Sequence, residues 1–214
     1  MPRAIIFDMD GVLIDSEEFI CQAAIQFLSE CGVSARPEDF VPFVGAGEDR
    51  YIGGVAEKYS LVLDIEQAKV RTYTIYGGLI AGRLGPLPGA IEFIRVARER
   101  GTKLAVASSA DRMKVEMNLR EIGLGAESFD AVVCGQDVKH KKPDPEIFLL
   151  AASRLGVTPD ESLVVEDAVN GVSAAKAGGF RCLGLTTSFS ARELSEADWT
   201  APDLAHVPAE ALGW

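Results

Sequence analysis

Near its start the chain reads AIIFDMDG, residues 4–11, in which four apolar residues are followed at once by two acids. The apolar run is unbroken rather than alternating, which is typical of a short strand buried on both faces of a parallel sheet. Asp8 and Asp10 would then lie at the carboxyl end of this strand. Because ligands bind outside that edge of an open α/β sheet, the two acids predict both the fold class and the place of a site.

Apolar runs of the same kind recur along the chain and alternate with segments of helical periodicity. Strand alternating with helix predicts a doubly wound α/β core, a Rossmann-like fold with a parallel sheet. Residues 187–214 show neither pattern and are assigned to peripheral packing only. The further strands are predicted over residues 103–108, 131–134, 162–166 and 181–185, and the helices between them over residues 89–100, 112–122, 145–155 and 171–177.

One stretch, from residue 16 to residue 82, has helical periodicity without a buried strand. Its first helix has a capping-box spacing between Asp15 and Glu18, and two more helices are predicted over residues 48–59 and 65–79. The stretch predicts a helical cap of residues 16–82, inserted after the first strand of a core domain. That core domain would comprise residues 1–15 and 83–214, with a turn-rich linker at residues 82–89.

Composition narrows the functional class. The 214 residues carry a net charge of -11 and no basic stripe, which argues against a nucleic-acid partner. No stretch approaches the roughly 20 apolar residues needed to span a bilayer, and no signal peptide is visible, so we expect a soluble domain without direct membrane insertion. Four cysteines without metal-ligand spacing predict reduced, structural thiols in a reducing compartment. They are Cys21, Cys31, Cys134 and Cys182.

Four predicted strand ends carry polar groups that should meet, because the carboxyl ends of parallel strands share one edge of the sheet. Taken singly, each group has an ordinary explanation as a turn, a helix cap or a solvated charge. Together they supply the nucleophile, acid/base, cations and hydroxyl donor that phosphoryl transfer needs. In chain order the groups are Asp8 with Asp10, Ser108, the segment Lys141-Lys142-Pro143, and Glu166 with Asp167.

Two carboxylates at the end of an apolar strand repel each other and are poorly solvated, so they make physical sense with a cation nearby. Magnesium prefers oxygen ligands, for which Asp8, Asp167 and the backbone carbonyl of Asp10 are candidates. With its charge neutralised, Asp8 would attack phosphorus and form an aspartyl phosphate. Asp10 would protonate the leaving oxygen and then deprotonate the incoming water or sugar hydroxyl.

The motifs FDMDGVLIDSE, AVASSA, KKPDPEIF and VVEDAVNGVSAAKAGG, in this order, resemble those of the haloacid dehalogenase (HAD) superfamily over the whole core. The resemblance implies a C1-type cap, a lid that closes over the strand ends and whose hinges are flanked by Asp15 and residues 82–89. Lys142 is preferred to Lys141 as the phosphate-binding lysine because it directly precedes Pro143. The implied roles are catalysis by Asp8 and Asp10, phosphate binding by Ser108, Ser109 and Lys142, and magnesium binding by Asp8, Asp10, Glu166 and Asp167.

The acid two residues after Asp8 distinguishes branches of this superfamily. Dehalogenases lack such an acid and phosphonatases carry a small residue there, so Asp10 favours phosphate esters. The core is similar to that of β-phosphoglucomutase-like proteins, whose sugar mutases carry a cap His and a V-S-R loop. In this chain Ile20 replaces the His and the loop VGAGEDR, residues 44–50, replaces the V-S-R loop. These differences favour a phosphatase of small phosphorylated metabolites over a mutase. A regulatory domain with a phosphatase-like site is the alternative from another class.

The cap loop VGAGEDR, residues 44–50, is a candidate for substrate recognition through Gly47, Glu48 and Arg50. Gly45 and Gly47 are equally well explained as the glycines of a tight turn. The longer run FVGAGEDRYIGGVAEKY resembles the HAD domain of the plant and algal suppressor-of-quenching family. That resemblance implies a domain of a larger multidomain protein in the chloroplast stroma, whereas the residues alone are equally compatible with the cytoplasm.

Overall fold

The structure, a computed structural model, describes residues 2–43 and 47–214. Residues 44–46 of the predicted cap loop therefore lie outside the described residues. The two described ranges contain six strands: β1 (Ala4–Phe7), β2 (Lys103–Ala107), β3 (Ala131–Val133), β4 (Ser162–Glu166), β5 (Arg181–Leu185) and β6 (Trp199–Ala201). All pair in parallel, in the order β3-β2-β1-β4-β5-β6, which confirms the predicted α/β fold.

In the described part of the chain, seven α-helices connect and cover the strands. Four of them, α1 to α4, come between β1 and β2 in the chain, and we call the first three, α1 to α3, the inserted helices. The other four alternate with the strands. The helices are α1 (Glu17–Glu30), α2 (Glu48–Lys58), α3 (Ile65–Ile80), α4 (Ala90–Glu99), α5 (Arg112–Glu121), α6 (Glu146–Leu155) and α7 (Val169–Ala177).

Strand side chains alternate between two buried layers because successive residues of a strand point to opposite faces. Ile6 belongs to the layer that packs on α6 and α7. Phe7 belongs to the layer that packs on α4, α5 and the inserted helices, where its ring meets the ring of Phe93 edge to face. Both faces of the sheet are therefore covered, which explains why the β1 sequence is apolar without alternation.

The register of the sheet brings three strand ends level with one another. Phe7 of β1 lies beside Val106 of β2 and Val165 of β4. The next residue, Asp8, donates its backbone N–H to the carbonyl of Val165 at 2.9 Å. Asp8 thus leaves the sheet next to the last residue of β4, Glu166.

The two linkers of the inserted helices run side by side. Ile14 and Pro86 form an isolated antiparallel bridge, and the N–H of Leu87 donates to the carbonyl of Leu13 at 2.8 Å. The start of α1 differs from the prediction. Ser16, not Asp15, is the N-cap residue, and the predicted capping box with Glu18 does not form.

The C-terminal segment is more than the peripheral packing predicted for residues 187–214. β6 extends the sheet beyond β5, and Leu204 is buried in the core. The carboxylate of Asp198 accepts a hydrogen bond from the backbone N–H of Cys182 at 2.7 Å and so ties this segment to β5. A strand of three residues with a half-exposed Trp199 gives too short a pattern to be recognised from sequence.

The cysteines agree only in part with the prediction of reduced, structural thiols. All four are free; Cys134 and Cys182 are buried and Cys21 is half-buried, but Cys31 is exposed and so is not a packing residue. Within the described ranges, we find no helix whose length and apolar character would allow it to cross a bilayer.

Gly89 offers a test of how the C-terminal segment docks. Its φ of +82° is left-handed, and a Cβ there would collide with the backbone of Leu204 and Ala205. Gly82, with φ +67°, has open space around it and is the matched control. We expect Gly82→Ala to cost about 1 kcal/mol of unfolding free energy and Gly89→Ala about 2 kcal/mol more. Urea unfolding of both variants measures the difference, and equal losses would contradict the close approach.

Candidate active site

A cavity of about 420 Å³ opens at the carboxyl edge of the sheet, between the strand ends and the inserted helices. This volume lies within the range of small-molecule sites, roughly 300–1,000 Å³. Every predicted core residue of the site lines it, which brings together residues separated by up to 159 positions in the chain. They are Asp8, Asp10, Ser108, Ser109, Lys142, Glu166 and Asp167.

Lys142 is the cation of the cavity floor. Its Nζ donates to a carboxylate oxygen of Asp8, to Glu166 Oε1 at 2.6 Å and to the carbonyl of Ala107 at 3.3 Å. Burial disfavours the charged ammonium, but Asp8 and Glu166 outweigh burial, so the pKa of Lys142 is raised and the lysine stays protonated.

Lys141, the other candidate lysine, does not line the cavity. Its Nζ lies 3.4 Å from the carbonyl of Ser109, to which it donates a hydrogen bond. The geometry therefore agrees with the choice of Lys142 over Lys141. Ser108 is buried at the end of β2, where its Oγ accepts the N–H of Ala110 at 3.2 Å.

Glu166 has both carboxylate oxygens engaged. Oε1 accepts from Lys142, and Oε2 accepts from the backbone N–H groups of Asp167 and Ala168, each at 2.9 Å. Such a carboxylate acts here as an anchor for the lysine and for the loop after β4. Its predicted role as a metal ligand would require it to give up one of these hydrogen bonds.

Asp167 packs against the loop after β1 at Gly11. The φ of Gly11 is +77°, and a Cβ on this residue would occupy the position of the Asp167 carboxylate. Burial, with the charge of Glu166 adding to it, raises the pKa of Asp167 to about 7. Burial also raises the pKa of Asp8. Both carboxylates are therefore short of positive charge.

The cavity floor fits a divalent cation. Three carboxylates, those of Asp8, Glu166 and Asp167, face one ammonium group, so two negative charges are left uncompensated when all are ionised. Hard oxygen donors in such a number suit magnesium. Asp8 and Asp167 are the two whose side chains are not fully occupied by other partners.

The four predicted metal acids do not form one compact set of side-chain ligands. Among the described residues, the three-residue group with ligand atoms within 4.8 Å of one another is His140, Asp144 and Glu146, away from the cavity floor. The side chain of Asp10 is directed elsewhere, which leaves its backbone carbonyl as the predicted ligand.

Asp10 is held by two groups. Ser16, the buried N-cap residue of α1, donates its hydroxyl to one carboxylate oxygen instead of capping its own helix. Lys114 donates to the other oxygen at 3.2 Å. Burial works against the charge of Lys114, yet Asp10 and Glu48 outweigh it, and the pKa of Lys114 is raised.

Lys114 is a cavity residue that the sequence analysis missed, although a signal was present. Lys114 and Asn118 are one helical turn apart on α5 and both are buried. The Asn118 carboxamide accepts from Tyr76 Oη of α3 at 2.5 Å. Two polar residues four apart, each directly before a buried apolar residue, indicate a polar row beside the apolar face of the helix.

The predicted cap residues divide into two groups. Gly47, with φ +85°, and Glu48 line the cavity. Arg50 does not: it is exposed, pairs with Glu57 at 3.5 Å and lies 5.5 Å from the centre of the Phe43 ring. In this structure the position of Arg50 on α2 directs it to solvent, so its part in substrate recognition stays a prediction.

The segment after β5 also reaches the cavity. Thr187 Oγ1 donates to the carbonyl of Gly11 at 2.5 Å, and Ser188 and Phe189 line the cavity wall. These residues were not predicted from the sequence. A strand end without an acid or a lysine gave no chemical signal.

The model of the family described as "Hydrolase: haloacid dehalogenase-like hydrolase" matches residues 2–179. The chain belongs to this family. It is 44% identical over 197 residues to "Protein SUPPRESSOR OF QUENCHING 1, chloroplastic" of Arabidopsis thaliana, a match that covers 91% of this chain but only 19% of that protein. It is 32% identical to the "Phosphorylated carbohydrates phosphatase" of Thermotoga maritima, over 88% of this chain and 87% of that protein.

Among solved structures, the chain is similar to CbbY from Rhodobacter sphaeroides in complex with phosphate. The TM-score is 0.88 at 29% sequence identity, and the match covers 100% of both chains. The fold is thus shared over the full length with a relative whose structure holds phosphate.

The raised pKa of Asp167 predicts how stability varies with pH. Its folded-state pKa of about 7 exceeds the ordinary aspartate pKa of 3.8, so metal-free protein loses stability as pH rises from about 4 to about 7. In EDTA at pH 8 we expect Asp167→Asn to gain about 2 kcal/mol, roughly 4–8 °C in Tm, and less than half of that at pH 5. Thermal unfolding followed by circular dichroism measures this gain.

The control for this prediction is Asp160→Asn, which changes the net charge by the same amount but removes an exposed acid. A Tm that stays unchanged in Asp167→Asn at pH 8, or a gain that is equal in Asp160→Asn, would contradict the burial effect.

Proposed function

We propose that the protein is a magnesium-dependent phosphatase that hydrolyses a small phosphorylated metabolite through an aspartyl phosphate on Asp8. The observation that carries this proposal is the pairing of Asp8 with Lys142 on the cavity floor, with Asp10 and Asp167 beside them. Nucleophile, acid/base, cation and metal acid thus face one small-molecule cavity. Membership of a hydrolase family supports the same reaction class.

In the first step the Asp8 carboxylate attacks phosphorus and the bond to the leaving oxygen breaks. Lys142, together with the hydroxyls of Ser108 and Ser109, would hold the phosphoryl oxygens in line with Asp8. Asp10 gives its proton to the leaving oxygen, so the alcohol departs neutral.

In the second step Asp10 takes a proton from water, and that water attacks the phosphorus of the aspartyl phosphate. The Asp8–phosphorus bond breaks, inorganic phosphate leaves, and Asp8 is restored as a carboxylate. Lys114 donates a hydrogen bond to Asp10 at 3.2 Å and so holds this carboxylate from one side. Ser16 fixes the orientation of the same carboxylate from the other side.

Magnesium would be held by Asp8, Asp167 and the backbone carbonyl of Asp10, and would supply positive charge to the transferring phosphoryl group. The uncompensated carboxylates of the floor support this assignment. We keep Glu166 as an anchor of Lys142, since both of its oxygens are engaged.

We further propose that residues 16–82 act as a cap on a core of residues 1–15 and 83–214. The inserted helices supply the cavity wall opposite the strand ends, and the paired linkers at Ile14 and Pro86 are placed to serve as hinges. The similarity to a chloroplastic relative supports a stromal domain of a larger protein, with this chain spanning about a fifth of that relative's length.

Hydrolysis is favoured over transfer to a sugar because the cavity wall has no histidine at position 20. This residue lines the cavity from α1 and presents only carbon atoms, where the sugar mutases carry a cap His. Phosphorus NMR on β-glucose 1-phosphate separates the two reactions. We expect free phosphate, and the formation of glucose 6-phosphate would establish a mutase instead.

The proposed catalytic roles predict that substitution of either aspartate greatly lowers activity, and that the loss is larger for Asp8 than for Asp10. With p-nitrophenyl phosphate and magnesium we expect Asp8→Asn to lower kcat by at least about 10³-fold and Asp10→Asn by at least about 10²-fold. Phosphate release in a stopped assay measures both. Equal rates for wild type and Asp8→Asn would overturn the aspartyl-phosphate mechanism.

The adjacent lysines provide a matched pair. Lys142→Gln should lower kcat/KM by at least about 10²-fold because it removes the charge beside Asp8. Lys141→Gln should stay within about threefold of wild type, since Lys141 does not line the cavity. Similar losses in both variants would show that the floor lysine has been assigned wrongly.

A further inference from the structure

The cavity changes character away from its floor. Beyond the strand ends, its wall carries three acids, Asp15, Glu17 and Glu48, and one lysine, Lys114. Among the cavity residues that the structure describes, Lys114 and Lys142 are the cations. Residues 44–46 of the neighbouring loop are Val, Gly and Ala and so have no charged side chain to add.

Neither lysine is available to a second anion. Lys142 is occupied on the floor by Asp8 and Glu166. Lys114 lies 3.2 Å from Asp10 and 3.9 Å from Glu48, so its single charge is already shared between two carboxylates.

Glu48 is a hydrogen-bond acceptor without a partner. The residue is only 6% exposed, yet its Oε2 has no hydrogen-bond partner. A buried carboxylate oxygen left in this state is costly, and a hydroxyl or amine donor from a bound molecule would relieve the cost.

Glu17 adds a second acceptor on the same wall. It lines the cavity from the first turn of α1, and its Oε1 accepts from Tyr51 Oη at 2.8 Å. Tyr51 comes from α2, as Glu48 does, so the two inserted helices hold the two acids in a fixed relation.

We propose that this wall selects phosphate monoesters whose far end is neutral and bears hydroxyl groups, and that it rejects esters carrying a second phosphate or a carboxylate. Hydroxyl donors satisfy Glu17 and Glu48, whereas a second anion meets like charges in a cavity whose two lining lysines, Lys114 and Lys142, are already paired with carboxylates. The inference rests on the proposed phosphatase function and specifies its substrate class.

The test uses pairs of esters that differ only at the far end. Glycerol 3-phosphate and 3-phosphoglycerate share a three-carbon skeleton, and glucose 6-phosphate and glucose 1,6-bisphosphate share a hexose. We expect wild type to prefer the neutral member of each pair by about tenfold or more in kcat/KM. Glu48→Gln should reduce this preference by about tenfold through faster turnover of the charged member.

Controls separate charge from structural damage. Glu57→Gln removes an exposed acid from the same helix as Glu48 and should leave the preference unchanged. If Glu48→Gln does not fold, Glu17→Gln takes its place. Glu18→Gln is then the control, because Glu18 stands beside Glu17 but bonds Gln22 at 2.8 Å on the outer side of α1.

Binding provides a readout that does not need turnover. Calorimetry of the same ester pairs on Asp8→Asn should show the same preference for the neutral member. Equal or tighter binding of the charged members, or Gln variants that change both members equally, would overturn the selection by charge.

Activity on p-nitrophenyl phosphate together with a preference for charged esters would contradict this inference and leave the phosphatase proposal standing. Absence of all phosphate release would sink the phosphatase proposal, with the binding preference still deciding the selection.

Discussion

A single ammonium group, the Nζ of Lys142, stands between Asp8 and Glu166 at the end of a sheet buried on both faces. Parallel pairing of β1 with its neighbours places these carboxylates side by side, where burial makes their charge costly. The lysine compensates part of that charge, and Asp167, held against Gly11, adds more than it can balance. A site that needs further positive charge is therefore a direct product of the sheet register, and the phosphoryl chemistry we propose uses that need.

The inserted helices are fastened to the core by polar contacts rather than by linkers alone. Lys69 of α3, itself buried, lies 3.2 Å from Asp111 at the start of α5, and Tyr76 donates to Asn118 on the same helix. These contacts set the distance between the cavity wall and the strand ends. Because α5 also carries Lys114, one core helix both anchors the inserted helices and holds Asp10. Positioning of the acid/base and placement of the wall are thus mechanically connected.

Sequence reasoning succeeded where pattern and chemistry coincide. The long apolar runs gave five strands, and strand ends with acids, Ser108 and Lys142 gave the cavity floor. It failed where either signal was weak. β6 has three residues, and Thr187 follows a strand without a charged group. Lys114 lies inside a helix, where only its spacing from Asn118 marks it as part of a buried polar row. The direction of Arg50 could not be predicted, because a loop of glycines does not determine which way the following helix turns its side chains.

The short outer strands of the sheet affect how readily the domain pairs with other polypeptides. Both edges, β3 and β6, comprise only three residues each. Exposed edges of a sheet are templates for pairing with another polypeptide, and short ones offer few free backbone groups. At high local concentration, such a sheet would resist strand exchange and pairing with other molecules. The shortness of its two edge strands therefore protects the sheet against aggregation.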